Sequence, residues 1–302
     1  MFKKLFLGTT EINFYKLGNT FLKVFIVEMT IFIAVIGLSL SGYRDLNLSV
    51  DFTGGTTYQL STDYSSDDIS DVMNNTILKV SRYQTFENSN SIIFRAVEST
   101  QDKETELLNY LSYKFDVPTE NIEFQRVGPT FGAEITSKGL RALFIFLAII
   151  VALISFRYEL KFAIIALVAL FHDLLLSYTV YELLGLEITP STIIALLTIL
   201  GYSLYDTVIL FDKLKDSQKI YKRNNLNSDI LNKTFNEVLM RSINTSLTSA
   251  FPIISILFLG NYLGIDGSLS DFAVPLLIGI LSGTYSSIFV TVPFLSKIIK
   301  TN

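Results

Sequence analysis

The sequence predicts a polytopic α-helical membrane protein that has six transmembrane helices and one extracytoplasmic α+β domain. Half of the 302 residues are hydrophobic and the mean hydropathy is +0.45, which is too apolar for an ordinary soluble protein of this length. The apolar segments are interrupted once, between residues 43 and 138, by a polar stretch with the periodicity of a small folded domain. These two observations together predict the fold class.

The composition also bounds the chemistry. The chain has no cysteine, which excludes disulfides and thiolate catalysis, and its single histidine, His172, excludes a metal site built from several histidines of this chain. A net charge of −4 gives no indication of nucleic-acid binding. The sequence has no nucleotide-binding loop, no HExxH motif and no nucleophile elbow. We therefore expect no enzyme activity, no catalytic residue, no metal and no cofactor.

The first segment, residues 1–21, is mildly basic and precedes the first span at 22–42. No cleavable signal peptide is evident, because the first long apolar run starts near residue 21 and has the length of a retained helix. Glu28 lies little more than one turn inside this span, near Lys23. We expect its flexible side chain to snorkel, so that the carboxylate reaches the membrane interface.

The polar stretch at 43–138 has the element order β-α-β-β-α-β, which is the ferredoxin-like arrangement. Apolar residues recur at helical spacing in two segments and alternate in the strands. The predicted elements are a strand at 48–60 bent at Gly54-Gly55, a helix at 66–80, strands at 82–87 and 91–97, a helix at 102–115 and a strand at 121–127. About 95 residues are enough for one small core.

Five further apolar segments follow the domain. They lie at 139–157, 162–183, 190–211, 243–262 and 273–296. A polar, basic loop at 212–241 separates the fourth span from the fifth, and 297–302 form a tail. Residues 228–240 of this loop have a broad apolar face, which predicts a helix lying along the membrane surface.

The distribution of basic residues predicts the orientation in the membrane. The short loops at 184–189 and 263–272 contain no Lys or Arg, whereas 157–161, 212–241 and both tails hold nearly all the basic residues outside the domain. The positive-inside rule therefore places both termini in the cytoplasm and the 43–138 domain on the opposite side.

Asp206 is the most informative residue of the fourth span, because it lies in a long uncharged run. A carboxylate at membrane depth costs about 2.5–3.5 kcal/mol on insertion scales, so such residues face a protein interior or a wet path and often carry protons. The alternative is an acidic residue at a helix end that reaches the interface. Asp212 and Lys213 already mark that end of the span.

Arg241 stands at the cytoplasmic start of the fifth span, where it can approach Asp206. The first turns after it are rich in hydroxyl and amide side chains, which bond between helices or line a wet path. They are Ser242, Asn244, Thr245, Ser246, Thr248 and Ser249. An arginine near a buried carboxylate favours its ionised form while desolvation favours the neutral one, and a site so balanced can take up and release a proton. Two alternatives remain open: a static ion pair that locks two helices, and an ordinary positive-inside anchor.

Asp173 lies near the middle of the third span, directly after His172. An ionisable residue at this depth is a functional candidate, either as a proton-relay residue or as a helix-packing residue. His172 is the weaker candidate, because adjacent residues of a helix point to different faces.

Small residues suggest close packing at two places. Gly279 and Gly283 are four apart in the sixth span, a spacing that lets helices approach closely. Gly54 and Gly55 follow Asp51 just outside the first span and permit backbone geometry that other residues avoid. We expect structural roles for both groups.

Six short motifs together resemble the SecF family of protein translocase subunits. They are Val-Asp-Phe-Thr-Gly-Gly-Thr at 50–56, Arg-Val-Gly128-Pro129 at 126–129, Phe-His-Asp at 171–173, Gly201-Tyr-Ser203 with Asp206-Thr207, Arg241 with Thr245-Ser246, and Gly-Thr-Tyr-Ser-Ser at 283–287. Their order and topology match the family over nearly the whole chain. One departure is Tyr205, where the family usually has Asn, and it changes the hydrogen bonding expected beside Asp206.

The resemblance implies more than the residues do. SecF-like proteins belong to the resistance-nodulation-division superfamily, pair with SecD in the bacterial cytoplasmic (inner) membrane, and help the SecYEG translocon move unfolded polypeptide by using the proton-motive force. By motif, Asp206 is the main proton-site residue, Arg241 its partner and Asp173 a supporting residue. Na⁺ in place of H⁺ stays open. The alternatives are half of a small-molecule exporter of the same superfamily and a scaffold that transduces no energy.

Overall fold

The computed structural model describes residues 10–41, 47–75, 80–86, 90–97, 100–221, 228–263 and 268–298. Within them, six helices are long and apolar enough to cross a membrane. They are α1 (Phe14–Leu40), α5 (Pro129–Arg157), α6 (Leu160–Leu184), α7 (Pro190–Ile220), α8 (Ser228–Leu263) and a last span that joins α9 (Ser268–Tyr285), a π-helical turn (Ser286–Val290) and α10 (Thr291–Ile298). The predicted multi-span architecture is confirmed.

Between α1 and α5 lies a small α/β domain. Its elements are α2 (Val50–Thr53), β1 (Gly55–Ser61), α3 (Ser66–Met73), β2 (Val80–Phe86), β3 (Ser91–Ala96), α4 (Gln101–Phe115) and β4 (Glu123–Val127). The strands form one antiparallel sheet in the order β2-β3-β1-β4. This is the order of the predicted ferredoxin-like arrangement. Alternate residues of the central strands, such as Tyr58 and Phe94, are fully buried against Leu107 and Leu111 of α4.

The Gly54-Gly55 pair does more than bend a strand. Residues 50–53 form the helical turn α2 instead of the first part of a long strand. Gly54 then adopts φ +75° and Gly55 φ +137°, values that side chains disfavour. A Cβ at Gly55 would lie 2.5 Å from the carbonyl oxygen of Ala96. The two glycines therefore turn the chain from α2 directly into β1, tight against β3.

Helices continue beyond the apolar spans. α1 begins at Phe14 rather than residue 22, α5 begins at Pro129 rather than 139, and α7 runs to Ile220 rather than 211. Hydropathy marks only the lipid-facing length, whereas a helix continues wherever its polar residues can be solvated or paired. At the far end of α7, for example, Asp212 accepts hydrogen bonds from Arg157 at 2.9 Å and from the Tyr158 hydroxyl at 2.6 Å. The parts of the predicted segments that fall on residues 1–9, 42–46, 76–79, 87–89, 98–99, 222–227, 264–267 and 299–302 lie outside the described residues.

The prediction that residues 228–240 lie on the membrane surface is wrong. They are the first turns of α8, and their apolar face packs into the helical bundle. Phe235 is fully buried, with its ring centroid 6.0 Å from that of Phe14 in an edge-to-face contact. The Asn236 side chain accepts a hydrogen bond from the Ile12 amide at 3.0 Å and donates one to the Ile12 carbonyl at 2.8 Å. Tertiary partners bury this face, so it does not need lipid.

Close contact between α7 and α9 forms the centre of the bundle. A Cβ at Gly279 would lie 2.2 Å from the Ile199 side chain, and one at Gly283 would lie 2.8 Å from the Ser203 Cβ. Only glycine fits at this separation. The α9 backbone therefore lies directly against the part of α7 that carries Ser203 and Asp206.

The α/β domain is joined to the turn between α6 and α7. Leu48 and Ile188 form a parallel β-bridge, in which the Ser49 amide donates to the Ile188 carbonyl at 3.0 Å. Arg95 of β3 forms an ion pair with Glu187 of the same turn, and both side chains are largely buried. Since the turn connects the two helices that carry Asp173 and Asp206, it is a direct physical link between the domain and those helices.

Candidate functional site

Asp206 lies at the contact between α7 and α8 and is only 1% exposed. By distance and angle, its Oδ2 accepts no hydrogen bond within the described residues, and the buried Ser242 hydroxyl, although near enough to interact with the carboxylate, makes none either. A buried carboxylate oxygen without a partner carries a large desolvation cost while it is ionised. The protonated acid has a donor of its own and can satisfy such a site, so this geometry suits a group that takes up a proton.

Arg241 does not form the expected ion pair. Its Nη2 donates a hydrogen bond to the Tyr205 hydroxyl at 2.9 Å, and its guanidinium carbon lies 5.8 Å from the centroid of the Tyr205 ring. Among the described residues, no ion pair within 4.0 Å joins Arg241 to Asp206, although the arginine charge is near enough to act on the carboxylate. Tyr205, the residue that departs from the family pattern, thus determines where the guanidinium lies.

The hydroxyl-rich first turns of α8 behave in two ways. Ser246 bonds across the helices, to the Thr284 hydroxyl of α9 and to the Tyr202 hydroxyl of α7 at 3.5 Å. Thr245 and Thr248 instead donate to carbonyl oxygens of α8 itself, at 2.9 Å and 2.8 Å. Part of this polar face therefore joins helices, as expected, and part only satisfies its own backbone.

Asp173 is the centre of a second buried site. The carboxylate is 1% exposed and accepts hydrogen bonds from three serine hydroxyls that two other spans supply. The donors are Ser203 of α7 at 2.5 Å, Ser282 of α9 at 2.5 Å and Ser286 of the π-helical turn at 2.9 Å. Three donors offset much of the cost of burying an ionised carboxylate. The site holds α6, α7 and the last span together.

His172 also faces this cluster, against the expectation from adjacent positions in a helix. The ring is fully buried, with Nδ1 3.5 Å from Asp173 Oδ1 and Nε2 3.3 Å from Glu28 Oε2. Glu28 accepts a further hydrogen bond from the Tyr285 hydroxyl at 2.8 Å. The prediction that Glu28 reaches the interface is therefore wrong, because two partners from other helices hold it at the bundle.

Ser203 connects the two buried carboxylates, those of Asp173 and Asp206. It bonds Asp173 and lies one turn before Asp206 on the same helix, so both acidic residues are connected to one face of α7. Thr207 donates from its hydroxyl to the Ser203 carbonyl at 3.2 Å. Gly201, in contrast, has no atom within 4 Å of the place a Cβ would occupy.

The remaining motif residues lie at the junction with the α/β domain. Asp51 Oδ2 accepts a hydrogen bond at 3.1 Å from the hydroxyl of Ser49, the N-cap of α2. Gly128 is the N-cap of α5 and Pro129 is its first residue, a position where proline fits well. A Cβ at Gly132, one turn later, would lie 2.4 Å from the Phe52 carbonyl oxygen. These residues position the domain on the bundle.

Within the described part of the chain, no group of three or more His, Cys, Asp or Glu side chains could hold a metal ion.

Residues 109–301 match the family described as "Protein export membrane protein SecD/SecF, C-terminal", and residues 46–63 match the "SecD/SecF GG Motif". The chain belongs to the SecD/SecF family. The second match covers α2, Gly54 and Gly55, and the first covers both buried carboxylates.

Curated SecF proteins are similar to this chain. The protein translocase subunit SecF of Desulfurispirillum indicum is 32% identical over 290 residues, which are 93% of this chain and 91% of that protein. SecF of Streptomyces coelicolor is 40% identical over 190 residues, which are 62% of this chain and 51% of that protein. The chain thus matches about half the length of the Streptomyces relative.

The fold is similar to a solved structure as well. The crystal structure of SecDF, a translocon-associated membrane protein from Thermus thermophilus, superposes with a TM-score of 0.81 at 26% identity. The match covers 97% of this SecF-like chain and 39% of the SecDF chain.

Sequence reasoning missed the roles of Glu28 and Ser282 in the site of this SecD/SecF member, and it included Tyr285 and Ser286 only as parts of the motif at 283–287. Glu28 lies near a span end, where a carboxylate has a simple explanation at the interface. Ser282 and Tyr285 belong to the same small-residue segment as Gly279 and Gly283. The available signal was a helical-wheel projection of that segment, which indicates the residues that can face Asp173.

Proposed function

We propose that this chain is a subunit of the Sec protein-export machinery that uses the proton-motive force, together with SecD, to assist late stages of polypeptide translocation. The observation that supports this proposal is Asp206, a carboxylate 1% exposed in a membrane-spanning helix with one oxygen unpartnered in the described structure. Intramembrane carboxylates of this kind mark ion pathways. A proton crossing the membrane potential contributes about 2.3 kcal/mol per 100 mV, enough to shift a domain equilibrium of a few kcal/mol.

The proposed coupling runs through α7. Protonation of Asp206 removes its negative charge, and with it the attraction to Arg241 and the cost of an unpartnered ionised oxygen. α7 then changes its packing against α8 and α9. The α6–α7 turn contacts the α/β domain through Glu187 and Ile188, so the domain moves with the helices.

The proposal includes location and partners. SecD supplies the other six-span half, SecYEG the channel and an unfolded exported polypeptide the substrate, in the bacterial inner membrane. Both termini face the cytoplasm and the α/β domain faces the opposite side, as the loop charges indicate. The match to a SecDF chain, of which this chain covers 39%, supports the pairing with SecD.

The test is preprotein translocation into membrane vesicles that contain SecD and either the natural chain or Asp206→Asn, with and without an uncoupler. We expect Asp206→Asn to insert and fold, to translocate slowly and to ignore the uncoupler. We expect the uncoupler to slow the natural chain to the same rate. Asp212→Asn is the matched control, because Asp212 lies on the same helix, is 40% exposed and pairs with Arg157. It is expected to behave as the natural chain does.

An equal response of the natural chain and Asp206→Asn to the uncoupler would remove Asp206 from the coupling. The scaffold alternative would then be favoured, and the joint replacement of Asp206 and Arg241 by apolar residues would preserve export.

One observation favours the small-molecule exporter alternative. A polar cleft of about 550 Å³ lies between the open face of the sheet and the α6–α7 turn. Among its lining residues are Asp51, Gln59, Arg95, Gln125 and Thr189. Drug susceptibility of a strain that lacks the chain separates the two functions: unchanged susceptibility together with a secretion defect supports export of polypeptides.

A further inference from the structure

Arg141 is a basic residue of α5 that has no counterion among the described residues. It is exposed, and within that part of the chain it makes no hydrogen bond, ion pair or ring contact. The other two basic residues of α5 are paired: Lys138 Nζ lies 2.7 Å from Glu134 Oε1, and Arg157 Nη2 lies 2.9 Å from Asp212 Oδ2. Arg141 therefore presents its guanidinium to the surroundings of the helix.

The position of Arg141 along α5 places it at a membrane surface. The helix carries no charged residue between Arg141 and Arg157, and the rise from one to the other is about 24 Å in an α-helix. The hydrocarbon core is about 30 Å thick, so two long basic side chains at these positions can reach the two interfaces. Arg141 lies at the end nearer the α/β domain, because α5 starts directly after β4, at Pro129. Its guanidinium is thus at the level of the lipid phosphates.

A cavity of about 180 Å³ opens beside Arg141. It lies among α5, α6, α7 and the segment at 48–52, and every side chain that lines it is apolar except that of Thr136. Leu140, the residue before Arg141, lines the cavity and is 53% exposed. The cavity is therefore open at the surface of α5, next to the arginine.

The depth and chemistry of this cavity suit a hydrocarbon chain. Its wall on α7 extends from Ile193 to Leu200, a rise of about 10 Å, and one leaflet contributes about 15 Å of hydrocarbon. Apolar cavities of about 150 Å³ take up molecules such as benzene. A polar ligand would lose its hydrogen bonds to water there without replacement, whereas a hydrocarbon chain that enters from the leaflet loses none.

We propose that Arg141 and this cavity form a binding site for one glycerophospholipid in the leaflet nearest the α/β domain. The guanidinium binds the headgroup phosphate, a pairing that its planar set of donors favours, and one acyl chain enters the cavity. The chain packs against Leu48, Phe52 and Ile188, of which Leu48 and Ile188 form the β-bridge between the domain and the α6–α7 turn. This inference goes beyond the proposed export function and does not rest on it.

The experiment uses the absence of tryptophan from the chain. Phe52→Trp places one fluorescent reporter in the wall of the cavity, and Phe144→Trp places one on the surface of α5, where Phe144 is 69% exposed. The full chain is purified in detergent micelles and titrated with phosphatidylglycerol whose acyl chains carry bromine, which quenches tryptophan on contact. We expect saturable quenching at position 52, at lower lipid fractions than quenching at position 144 requires.

Two substitutions in the Phe52→Trp chain test the phosphate contact. Arg141→Gln removes the guanidinium and is expected to weaken the binding of the brominated lipid by about tenfold, the effect of losing a hydrogen bond to a charged group. Lys138→Gln is the matched control, because Lys138 already pairs with Glu134, and it is expected to leave the affinity unchanged. Brominated diacylglycerol, which lacks the phosphate, should bind the chain with Arg141 as weakly as phosphatidylglycerol binds Arg141→Gln.

Gly139→Leu tests the cavity itself. A Cβ at this position would lie 3.4 Å from Cδ1 of Ile193 across the cavity, so the leucine side chain occupies the space proposed for the acyl chain. We expect saturable quenching at position 52 to be lost.

The proposal would be overturned by equal quenching curves at positions 52 and 144, by an unchanged affinity in Arg141→Gln, by equal binding of the two brominated lipids, or by full binding to folded Gly139→Leu. Arg141 is exposed, so its substitution keeps the proposal testable even if Gly139→Leu does not fold. Failure of the export test would leave these titrations as predicted, so the two proposals fail independently.

Discussion

Nη2 of Arg241 donates a hydrogen bond to the Tyr205 hydroxyl at 2.9 Å, next in sequence to the buried Asp206. The phenol is 49% exposed and the guanidinium lies near its ring. Asp206 therefore lacks an ion-pair partner within 4.0 Å, in the described structure, although an arginine is close by. The tyrosine hydroxyl competes with the carboxylate for one guanidinium.

Replacing Tyr205 by Phe should release the arginine toward Asp206. Without the hydroxyl, the guanidinium gains most by moving to the carboxylate, where the pair favours the ionised form. Under the role proposed for Asp206, protonation then requires a more acidic medium, so the pH profile of translocation should shift to lower pH. The measurement is vesicle translocation at a series of outside pH values.

Tyr202→Phe is the control for this prediction. It also removes a phenol hydroxyl from α7, but that hydroxyl faces Ser246 at 3.5 Å rather than Arg241. Its profile should match that of the natural chain. If the profile of Tyr205→Phe does not move either, Tyr205 has no influence on the protonation of Asp206.

Gly279→Ala should separate α9 from α7. The new methyl group would lie 2.2 Å from the side chain of Ile199, which is 2% exposed and surrounded by the bundle. Overpacking of this kind costs about 1–3 kcal/mol. The expected result is a lower midpoint of thermal unfolding in detergent, together with a loss of the Asp173 contacts that depend on the position of α9.

Gly201→Ala is the matched control on the facing helix. No atom lies within 4 Å of the position that the new Cβ would occupy. Alanine in the middle of a helix also stabilises the folded state by about 0.5–1 kcal/mol relative to glycine. An equal loss of thermal stability in both variants would show that close packing at Gly279 is not the cause.

The α/β domain and the spans could be predicted because their signals are local. Alternating apolar residues such as Tyr58 and Leu60 indicate a strand, and the order of four strands and two helices indicates the sheet. α2 was not predicted, because its four residues have no periodicity and the turn depends on the φ angles of Gly54 and Gly55. The turns of α8 at 228–240 were placed wrongly, because an apolar helix face looks the same whether lipid or Phe14 covers it.

The candidate site likewise has residues that could be predicted from the sequence and residues that could not. Asp173 and Asp206 could be identified because a carboxylate at membrane depth is costly wherever it points. The partners could not, since Glu28 lies 144 residues from His172 and 257 residues from Tyr285 in sequence. The predicted ion pair between Arg241 and Asp206 was wrong for a different reason. Helical spacing brings Arg241 near both Tyr205 and Asp206, and only side-chain geometry decides which of them it contacts.

The junction between α2 and α5 gives a further prediction. A Cβ at Gly132 would lie 2.4 Å from the Phe52 carbonyl oxygen, a backbone atom that cannot turn aside. Gly132→Ala should therefore displace α2 and accelerate amide hydrogen exchange at residues 50–53. Gly128→Ala, one turn earlier with nothing within 4 Å, should leave exchange there unchanged. Equal exchange in the two variants would contradict this role of Gly132.

The Arg95–Glu187 pair is expected to hold the α/β domain on the α6–α7 turn. The side chains are 12% and 7% exposed, so water and salt screen their attraction far less than that of a surface pair. In a double-mutant cycle with Arg95→Gln and Glu187→Gln, we expect a coupling of about 1–3 kcal/mol in unfolding free energy. On the proposed coupling, each single variant should also reduce the gradient-dependent part of translocation, because the link between the domain and the helices is weakened. Glu134→Gln, which breaks a Lys138 pair with both side chains more than half exposed, should change neither quantity. A coupling near zero, or normal translocation by both single variants, would mean that backbone contacts such as Leu48 to Ile188 are a sufficient link.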